Sequence, residues 1–327
     1  MPRASRARRI LAGATVGAAS AGAAAATVAG VVYSQTKLAR RRIKPTEIEP
    51  PLADGVWVAP DVDVTAPSIT LAVLGDSSAA GYGLTDASET PGAVLARGLS
   101  RYSGRPVEVV SVAKVGARSA DLPAQVNDVS ARRPDIAYLM IGANDVTHRV
   151  RRSAAVGDLA TGVRMLRDTG CEVVVGTCPD LGTIRPIAQP LRYIASLKSR
   201  ALAAAQTIAV VEAGGRTVSL GNVLGPRFAR ERDLFSDDEF HPSARGYAAA
   251  IEVSLPSVAA ALGLPTDTEA AGPFLSRRAR TVASAAVHAA THPGTEVAGA
   301  RVDGHAGGPH GRWARLLRRS SEAAPPH

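Results

Sequence analysis

The chain has 327 residues, of which 46% are hydrophobic and 4% aromatic, so it can bury an aliphatic core and is not disordered as a whole. Its two cysteines exclude a disulfide-dense scaffold and a cysteine-rich zinc module. The net charge of +9 lies at the ends: residues 1–44 carry +9 and residues 265–327 carry +3, which leaves −3 for residues 45–264. This distribution argues against a nucleic-acid partner and favours contact with a membrane surface.

The first 44 residues have the features of a membrane anchor or a signal segment. Four arginines precede an uncharged run from Ile10 to Val32. The run has 23 residues, and about 20 are needed for a helix to span a bilayer. Basic residues between Lys37 and Lys44 follow it, which favours an uncleaved anchor. We therefore expect location at the cell membrane or envelope, and the alternative is secretion after signal cleavage.

Short apolar runs alternate with helical patterns between residues 68 and 264, after a proline-rich stretch at 45–67 that is typical of an extended linker. The linker predicts that the N-terminal segment does not pack on the folded domain. The predicted strands are Thr70–Gly75, Pro106–Val112, Asp135–Ile141, Glu172–Thr177 and Ile208–Glu212. The predicted helices are 89–102, Ser119–Arg132, 153–168, 190–206 and Ser243–Leu262. This alternation predicts an α/β fold with a five-stranded parallel sheet covered on both faces.

The composition changes after the last predicted helix. We interpret residues 265–327 as a low-complexity, basic C-terminal tail that contains a helix at 274–291 and a glycine-rich stretch at 292–311. The segment Trp313–Arg319 is short, basic and amphipathic, so it is a candidate for contact with an anionic membrane surface, and the alternative is a solvated tail.

Polar residues suited to catalysis follow the predicted strands, at the edge of the sheet where ligands bind in such folds. Ser77 follows the first strand, Gly116 the second and Asn144 the third. Asp238 and His241 lie three residues apart just before the last helix. In that spacing the Asp238 carboxylate can hold one ring nitrogen of His241 and leave the other free to accept a hydroxyl proton.

These five residues together supply the parts that acyl transfer needs. Ser77 is the candidate nucleophile, His241 the base and Asp238 the group that orients the base. The backbone N–H groups of Ser77 and Gly116 and the amide of Asn144 are the candidate donors of an oxyanion hole. The chain lacks the G-x-S-x-G motif, which argues against the nucleophile elbow of the α/β-hydrolases.

The same residues, in order, resemble the four sequence blocks of the SGNH (GDSL-type) hydrolases: Gly75-Asp-Ser77, Gly116, Gly142-x-Asn144-Asp and Asp238-x-x-His241-Pro. The resemblance covers about residues 68–263. It implies a flavodoxin-like α/β/α sandwich and ester or thioester hydrolysis without a metal or other cofactor. The leucine that often follows the first block and the asparagine that often precedes the glycine of the second are missing here, so the subfamily and the substrate stay open.

We therefore expect a serine esterase or lipase-type hydrolase that acts on a small acyl ester, a lipid or an acylated glycan. The basic anchor and the Ala/Arg-rich composition are similar to those of actinobacterial envelope-associated members of the family. The alternatives are an acyltransferase or a carbohydrate O-deacetylase that uses the same site, and a non-catalytic binding module. The intact Ser/Gly/Asn/His set argues against the last of these.

Overall fold

The computed structural model describes residues 26–27, 29–39, 41, 49–221, 231–265, 279–292, 294–300 and 313–318. The strands are β1 (Gly55–Trp57), β2 (Ile69–Gly75), β3 (Val107–Ser111), β4 (Ile136–Met140), β5 (Glu172–Gly176), β6 (Arg216–Val218), β7 (Arg280–Thr281), β8 (Thr295–Gly299) and β9 (Trp313–Arg318). The helices are α1 (29–39), α2 (Ser77–Ala80), α3 (Pro91–Ser103), α4 (Leu122–Ser130), α5 (Ala143–Thr147), α6 (Arg152–Asp168), α7 (Leu191–Glu212), α8 (Ala244–Ala261) and α9 (Val282–Ala289).

The described strands form one sheet in the order β1-β3-β2-β4-β5-β6-β8-β9-β7. The strands β3, β2, β4, β5 and β6 are parallel to one another. Numbered by their order in the chain, they lie in the 2-1-3-4-5 arrangement of flavodoxin-like folds. This confirms the predicted α/β sandwich with its five-stranded parallel core. The strand order reverses between β2 and β4, so the carboxyl ends of these two strands frame the crevice where ligands bind in such sheets.

Alternate side chains of β2 face the two helical layers of the sandwich. Leu71 and Val73 pack in the cluster that includes α3 and α8, whereas Ala72 and Leu74 pack in the cluster that includes α4 and α6. All four side chains are fully buried. A central strand that is apolar on both faces is the pattern that its sequence predicted, because successive side chains of a strand point to opposite faces.

The predicted fifth strand, Ile208–Glu212, is wrong. These residues form the last turns of α7, where Val210 and Val211 are both buried. A short apolar run occurs both in buried strands and in buried helical segments, so the run alone does not identify which it is. Here it is the buried end of a long helix. Gly214, with φ of +87°, lies just beyond the end of the helix, and the fifth parallel strand is β6.

The folded domain begins earlier than predicted, within the expected linker 45–67. Strand β1 pairs antiparallel with β3 at the edge of the sheet. The indole of Trp57 donates to the Ala53 carbonyl at 2.8 Å, and the Ala59 N–H donates to the Ser100 hydroxyl at 3.0 Å. A three-residue edge strand leaves little pattern in a sequence, because non-local pairing and not local propensity holds it in place.

The domain also ends later than predicted, because residues beyond 264 are not only a low-complexity tail. Strand β8 pairs antiparallel with β6, and β9 pairs with both β8 and β7. Of the segment Trp313–Arg319, the candidate for contact with a membrane surface, residues Trp313–Arg318 form β9. The carboxylate of Glu296 on β8 is fully buried between Arg216 of β6, at 3.0 Å, and Ser257 of α8, at 2.9 Å. These strands cover the edge that β6 would otherwise leave open.

The described end of the N-terminal segment packs on the domain, so the prediction that the linker keeps them apart is wrong. Ala39 of α1 is buried against a cluster that contains Ile184 and Ile187. The Gln35 side chain accepts from the Leu191 N–H at 3.0 Å and donates to the Gln189 carbonyl. Most of the predicted anchor lies outside the described residues. Among those described, only α7 is long and apolar enough to cross a membrane, and it packs against α6 and α9.

Replacement of Glu296 by Ala should lower the free energy of unfolding by about 1–3 kcal/mol, because it removes the shared acceptor of a buried arginine contact and a buried hydroxyl. Urea denaturation of the full chain checks this. The matched control is Glu252→Ala on the exposed side of α8, which should change stability by less than about 0.5 kcal/mol. Equal stabilities for the two variants would contradict the structural role of β8.

Candidate active site

The site begins where β2 and β4 end side by side. The Asp76 N–H donates to the Met140 carbonyl at 3.0 Å. Gly75 has φ of +131°, and a Cβ at this position would overlap that same carbonyl oxygen. Only glycine adopts this positive φ without strain and has no Cβ to overlap the carbonyl oxygen. The chain therefore leaves β2 in a sharp turn that places Ser77 at the rim of the sheet.

Asp76 holds this turn in place as the N-cap of α2. One oxygen of its carboxylate accepts from the Ser78 N–H at 2.9 Å. Ser77 stands at the first position of the helix, where a backbone N–H has no intrahelical acceptor. The Ser77 N–H is thus available to an oxygen atom near the Ser77 hydroxyl.

The structure brings Ser77, His241 and Asp238 together although His241 is 164 residues away from Ser77. The Ser77 hydroxyl oxygen lies 3.1 Å from Nε2 of His241, and Nδ1 of the same ring lies 2.6 Å from Oδ2 of Asp238. The tautomer that carries its proton on Nδ1 donates to Asp238 and accepts from the serine hydroxyl. This is the arrangement that the sequence predicted for these three residues.

The Asp238 carboxylate is held by four donors. Its Oδ1 accepts from the Ser236 hydroxyl and from the N–H groups of Phe240 and His241, all at 2.8–2.9 Å, while Oδ2 accepts from the His241 ring. Partial burial by itself would raise the pKa of Asp238, but these hydrogen bonds outweigh it and lower the pKa to about 2. Asp238 is therefore a negative charge beside the imidazole at neutral pH.

Aromatic rings fix the plane of the His241 imidazole. The Tyr82 ring lies 4.5 Å from it and the Phe240 ring 4.8 Å, in tilted and edge-on orientations. Tyr82 is itself held by the hydroxyl of Tyr247, which donates to the Tyr82 carbonyl at 3.0 Å. The ring of His241 is therefore held by packing as well as by its two hydrogen bonds.

Hydrogen bonds tie the two other predicted donors to the same rim. The Lys114 N–H donates to the Gly75 carbonyl at 3.1 Å, and a turn closed by a bond from Ala117 to Lys114 presents Gly116 with φ of +82°. The Asn144 amide donates to the Ala117 carbonyl at 3.0 Å. An Asn amide has two N–H groups, so this bond fixes the side chain and leaves one donor for a ligand.

Buried residues that the sequence analysis missed hold these segments in place. Asp145 accepts from both the N–H and the hydroxyl of Ser119, which ties the end of β4 to the loop that carries Gly116. The amide of Gln125 makes two hydrogen bonds with the backbone of Gly75, and that of Gln206 bridges Ile141 and Cys178. The sequence gives only a weak sign of this role. Asp145, Gln125 and Gln206 are polar residues in helices, and the apolar residues around each of them indicate that the position is buried.

A cleft of about 780 Å³, counted out to its open mouth, opens beside His241. Apolar side chains that follow β4, β5 and β6 or lie in the loop before α8 form most of its wall: Met140, Ile141, Leu181, Ile184, Leu220, Phe235 and Phe240. In the described part of the chain no group of three His, Cys, Asp or Glu side chains is placed to hold a metal ion. The cleft is therefore suited to an apolar group held next to His241.

Comparison with known proteins shows which family the chain belongs to. A model of the GDSL-like lipase/acylhydrolase family matches residues 73–249, more than half of the chain. The GDSL-like esterase Rv1075c of Mycobacterium tuberculosis is 42% identical over 263 residues, which cover 77% of this chain and 82% of that protein. The chain belongs to the GDSL-like lipase/acylhydrolase family, and it is a carboxylic ester hydrolase.

Two solved structures match the chain more distantly. TesA is 22% identical, with a TM-score of 0.45, and the match covers 59% of this chain and 99% of that one. Axe2, an acetylxylan esterase from Geobacillus stearothermophilus, is 19% identical, with a TM-score of 0.45 and coverage of 60% and 95%.

The stability of the protein should fall as the pH rises from about 4 to about 6, because of Asp76. Burial raises the pKa of this carboxyl from 3.8 to about 6, against the hydrogen bonds from Ser78 that lower it. The folded state thus binds the proton more tightly than the unfolded chain, and the difference corresponds to about 3 kcal/mol. Urea denaturation from pH 4 to pH 8 measures the effect.

Asp76→Asn keeps an acceptor for the Ser78 N–H and should remove this part of the pH dependence. Asp168→Asn, at an exposed position at the end of α6, should leave the pH dependence as in the wild type. If the Asp76 variant follows the wild-type curve across this range, the raised pKa is wrong.

Proposed function

We propose that Ser77, His241 and Asp238 form the catalytic triad of this esterase. The observation that carries the proposal is the unbroken chain of hydrogen bonds from Ser77 Oγ to His241 Nε2, at 3.1 Å, and from His241 Nδ1 to Asp238 Oδ2, at 2.6 Å. A nucleophile, a base and an orienting carboxylate in this geometry are the requirements for acyl transfer through a covalent intermediate.

In the first half of the reaction, Ser77 Oγ attacks the carbonyl carbon of the ester while its proton passes to Nε2 of His241. The bond to the alcohol oxygen then breaks, and the alcohol leaves with the proton from Nε2. The product is an acyl ester on Ser77. Asp238 stabilises the imidazolium that forms between these two steps and keeps the ring in the tautomer that starts the cycle.

In the second half, water replaces the alcohol. His241 Nε2 takes a proton from the water as its oxygen attacks the acyl carbon, and then returns the proton to Ser77 Oγ as the carboxylic acid leaves. Each tetrahedral intermediate carries a negative oxygen. We assign its donors to the N–H groups of Ser77 and Gly116 and to the free N–H of the Asn144 amide, because all three belong to segments joined at this rim.

We propose that the acyl part of the ester binds in the apolar cleft beside His241. Phe235, Phe240, Ile184 and Leu181 offer only hydrocarbon surface there. An acyl chain gains by leaving water for such a wall, at about 0.8 kcal/mol for each CH₂ buried. The lining therefore favours the acyl esters and lipids among the expected substrates over small, strongly polar acylated glycans.

Ser77→Ala should reduce kcat for p-nitrophenyl esters by a factor of about 10⁴ or more, because it removes the nucleophile but only one oxygen atom. Ser78→Ala is the matched control and should keep activity within about tenfold of the wild type. A fluorophosphonate should label Ser77 in the wild type. An active Ser77→Ala protein, or a label on another serine, would contradict the assignment.

Asn144→Ala should lower kcat by a factor of about 10²–10³ with little change in KM, because the amide meets charge that develops in the transition state. Steady-state kinetics on the same esters separate the two parameters. Asn127→Ala, at an exposed position on α4, is the control and should match the wild type. A fall in kcat of less than about threefold would place Asn144 outside the oxyanion hole.

We also propose that the segment Ile10–Val32 anchors the enzyme in the cell membrane or envelope. Its 23 uncharged residues exceed the length needed to span a bilayer, and basic residues flank it on both sides. An anchored chain stays with the membrane fraction in high salt and leaves it in detergent. Release by salt, or a mature N-terminus beyond residue 20, would contradict the anchor.

A further inference from the structure

A group of unpaired basic side chains lies beside the active site. Arg149 in the turn after α5, Arg152 at the start of α6 and Lys198 on α7 line a cavity of about 580 Å³, counted out to its open mouth. All three are exposed, and none makes an ion pair with a described acidic side chain. The carboxylate that lines the same cavity, Asp145, is 2% exposed and is held by Ser119. The cavity is therefore open to an anion.

Exposed apolar side chains lie next to these cations. Tyr193 and Leu197, four residues apart on one side of α7, are 61% and 51% exposed, and Tyr33 on α1 is 59% exposed. Gln35 holds α1 against Leu191, the first residue of α7, and Tyr33 and Tyr193 each lie two residues along the chain from this contact. We call the surface formed by Tyr33, Tyr193 and Leu197 together with Arg149, Arg152 and Lys198 the rim face.

The rim face borders the cleft. Helices α6 and α7 follow β4 and β5, so both begin at the carboxyl edge of the sheet, where Ser77 lies. Ala39 of α1 packs on Ile184, and Ile184 lines the cleft. Acidic residues of this edge lie in other segments: Asp86 and Glu89 follow β2, and Glu231, Asp233, Asp237 and Glu239 belong to the loop that carries His241. Positive charge is thus concentrated on the side of α1 and α7.

Aromatic and basic side chains exposed together are typical of a surface that lies at a membrane interface, where rings enter the headgroup layer and cations meet anionic lipid. The last four residues of the uncharged run, 29–32, form the start of α1. We propose that the rim face rests on an anionic lipid surface, so that acyl esters reach the cleft from the bilayer. The entry of esters rests on the proposed function; the contact with lipid does not.

The first experiment compares two charge-reversal variants of the full chain. The rim variant combines Arg149→Glu, Arg152→Glu and Lys198→Glu. The control combines Arg101→Glu, Arg133→Glu and Arg164→Glu, at exposed positions near the opposite edge of the sheet, with the same change of net charge. Each is reconstituted in vesicles of phosphatidylcholine and phosphatidylglycerol and given either soluble p-nitrophenyl acetate or a fluorogenic dodecanoyl ester dissolved in the bilayer.

The rim variant should hydrolyse the bilayer ester at least about tenfold more slowly than the wild type and the control, since each basic residue near an anionic surface adds to its attraction. All three proteins should hydrolyse the soluble ester at similar rates. Equal rates on the bilayer ester, or equal losses in the two variants, would overturn the proposal and leave this face to a protein partner or to solvent. A wild type inactive on both esters would instead refute the proposed function.

A second measurement needs no catalysis. Tyr193→Trp places a fluorophore on the rim face, and Val64→Trp places one at a 70% exposed position in the loop before β2, at the opposite edge. In vesicles of brominated phosphatidylglycerol, the Tyr193→Trp protein should show quenching beyond the background that Trp57 and Trp313 give in the wild type. The Val64→Trp protein should show only that background. Added quenching in both variants, or in neither, would overturn the proposal even if the anchor is inserted.

Discussion

The close approach of β2 and β4 at their carboxyl ends is the constraint on which the site depends. A side chain at position 75 would overlap the Met140 carbonyl, and the next residue donates a hydrogen bond to that same oxygen. The two segments that leave these strands carry Ser77 and Asn144. Because the backbone of the sheet fixes where both begin, the proposed nucleophile and a proposed oxyanion donor meet at the rim without a long side chain to position either.

Satisfied polar groups beneath the rim then make this arrangement rigid. Gln125, Gln206 and Asp145 are buried, and each binds a backbone segment of the site. The two aspartates near His241 show how environment divides their roles. Four donors hold Asp238 ionised, whereas burial with fewer donors favours the neutral form of Asp76. The imidazole is thus oriented by one well-defined charge, and the other carboxyl serves as a helix cap.

Local patterns predicted most of the parallel core because its strands are short, apolar on both faces and bounded by turns. They failed at Ile208–Glu212, where the apolar run belongs to a long buried helix. They also failed where pairing is non-local. Neither β1 nor β8 has a strong strand pattern of its own, and each exists because a neighbouring edge strand supplies its hydrogen bonds. The roles of Gln125 and Gln206 were not predicted, because their positions in the sequence do not show which backbone atoms their amides bind.

The sequence by itself determined the α/β class, the family and the identity of the five candidate site residues, because these follow from periodicity and from short motifs that each lie within a few residues. The tertiary structure alone decided that the Ser77 hydroxyl lies 3.1 Å from His241 and that the C-terminal strands extend the sheet. It also decided that α1 packs beside the cleft. Distances across 164 residues, and contacts between segments of unlike composition, depend on how the whole chain packs, and no local pattern encodes them.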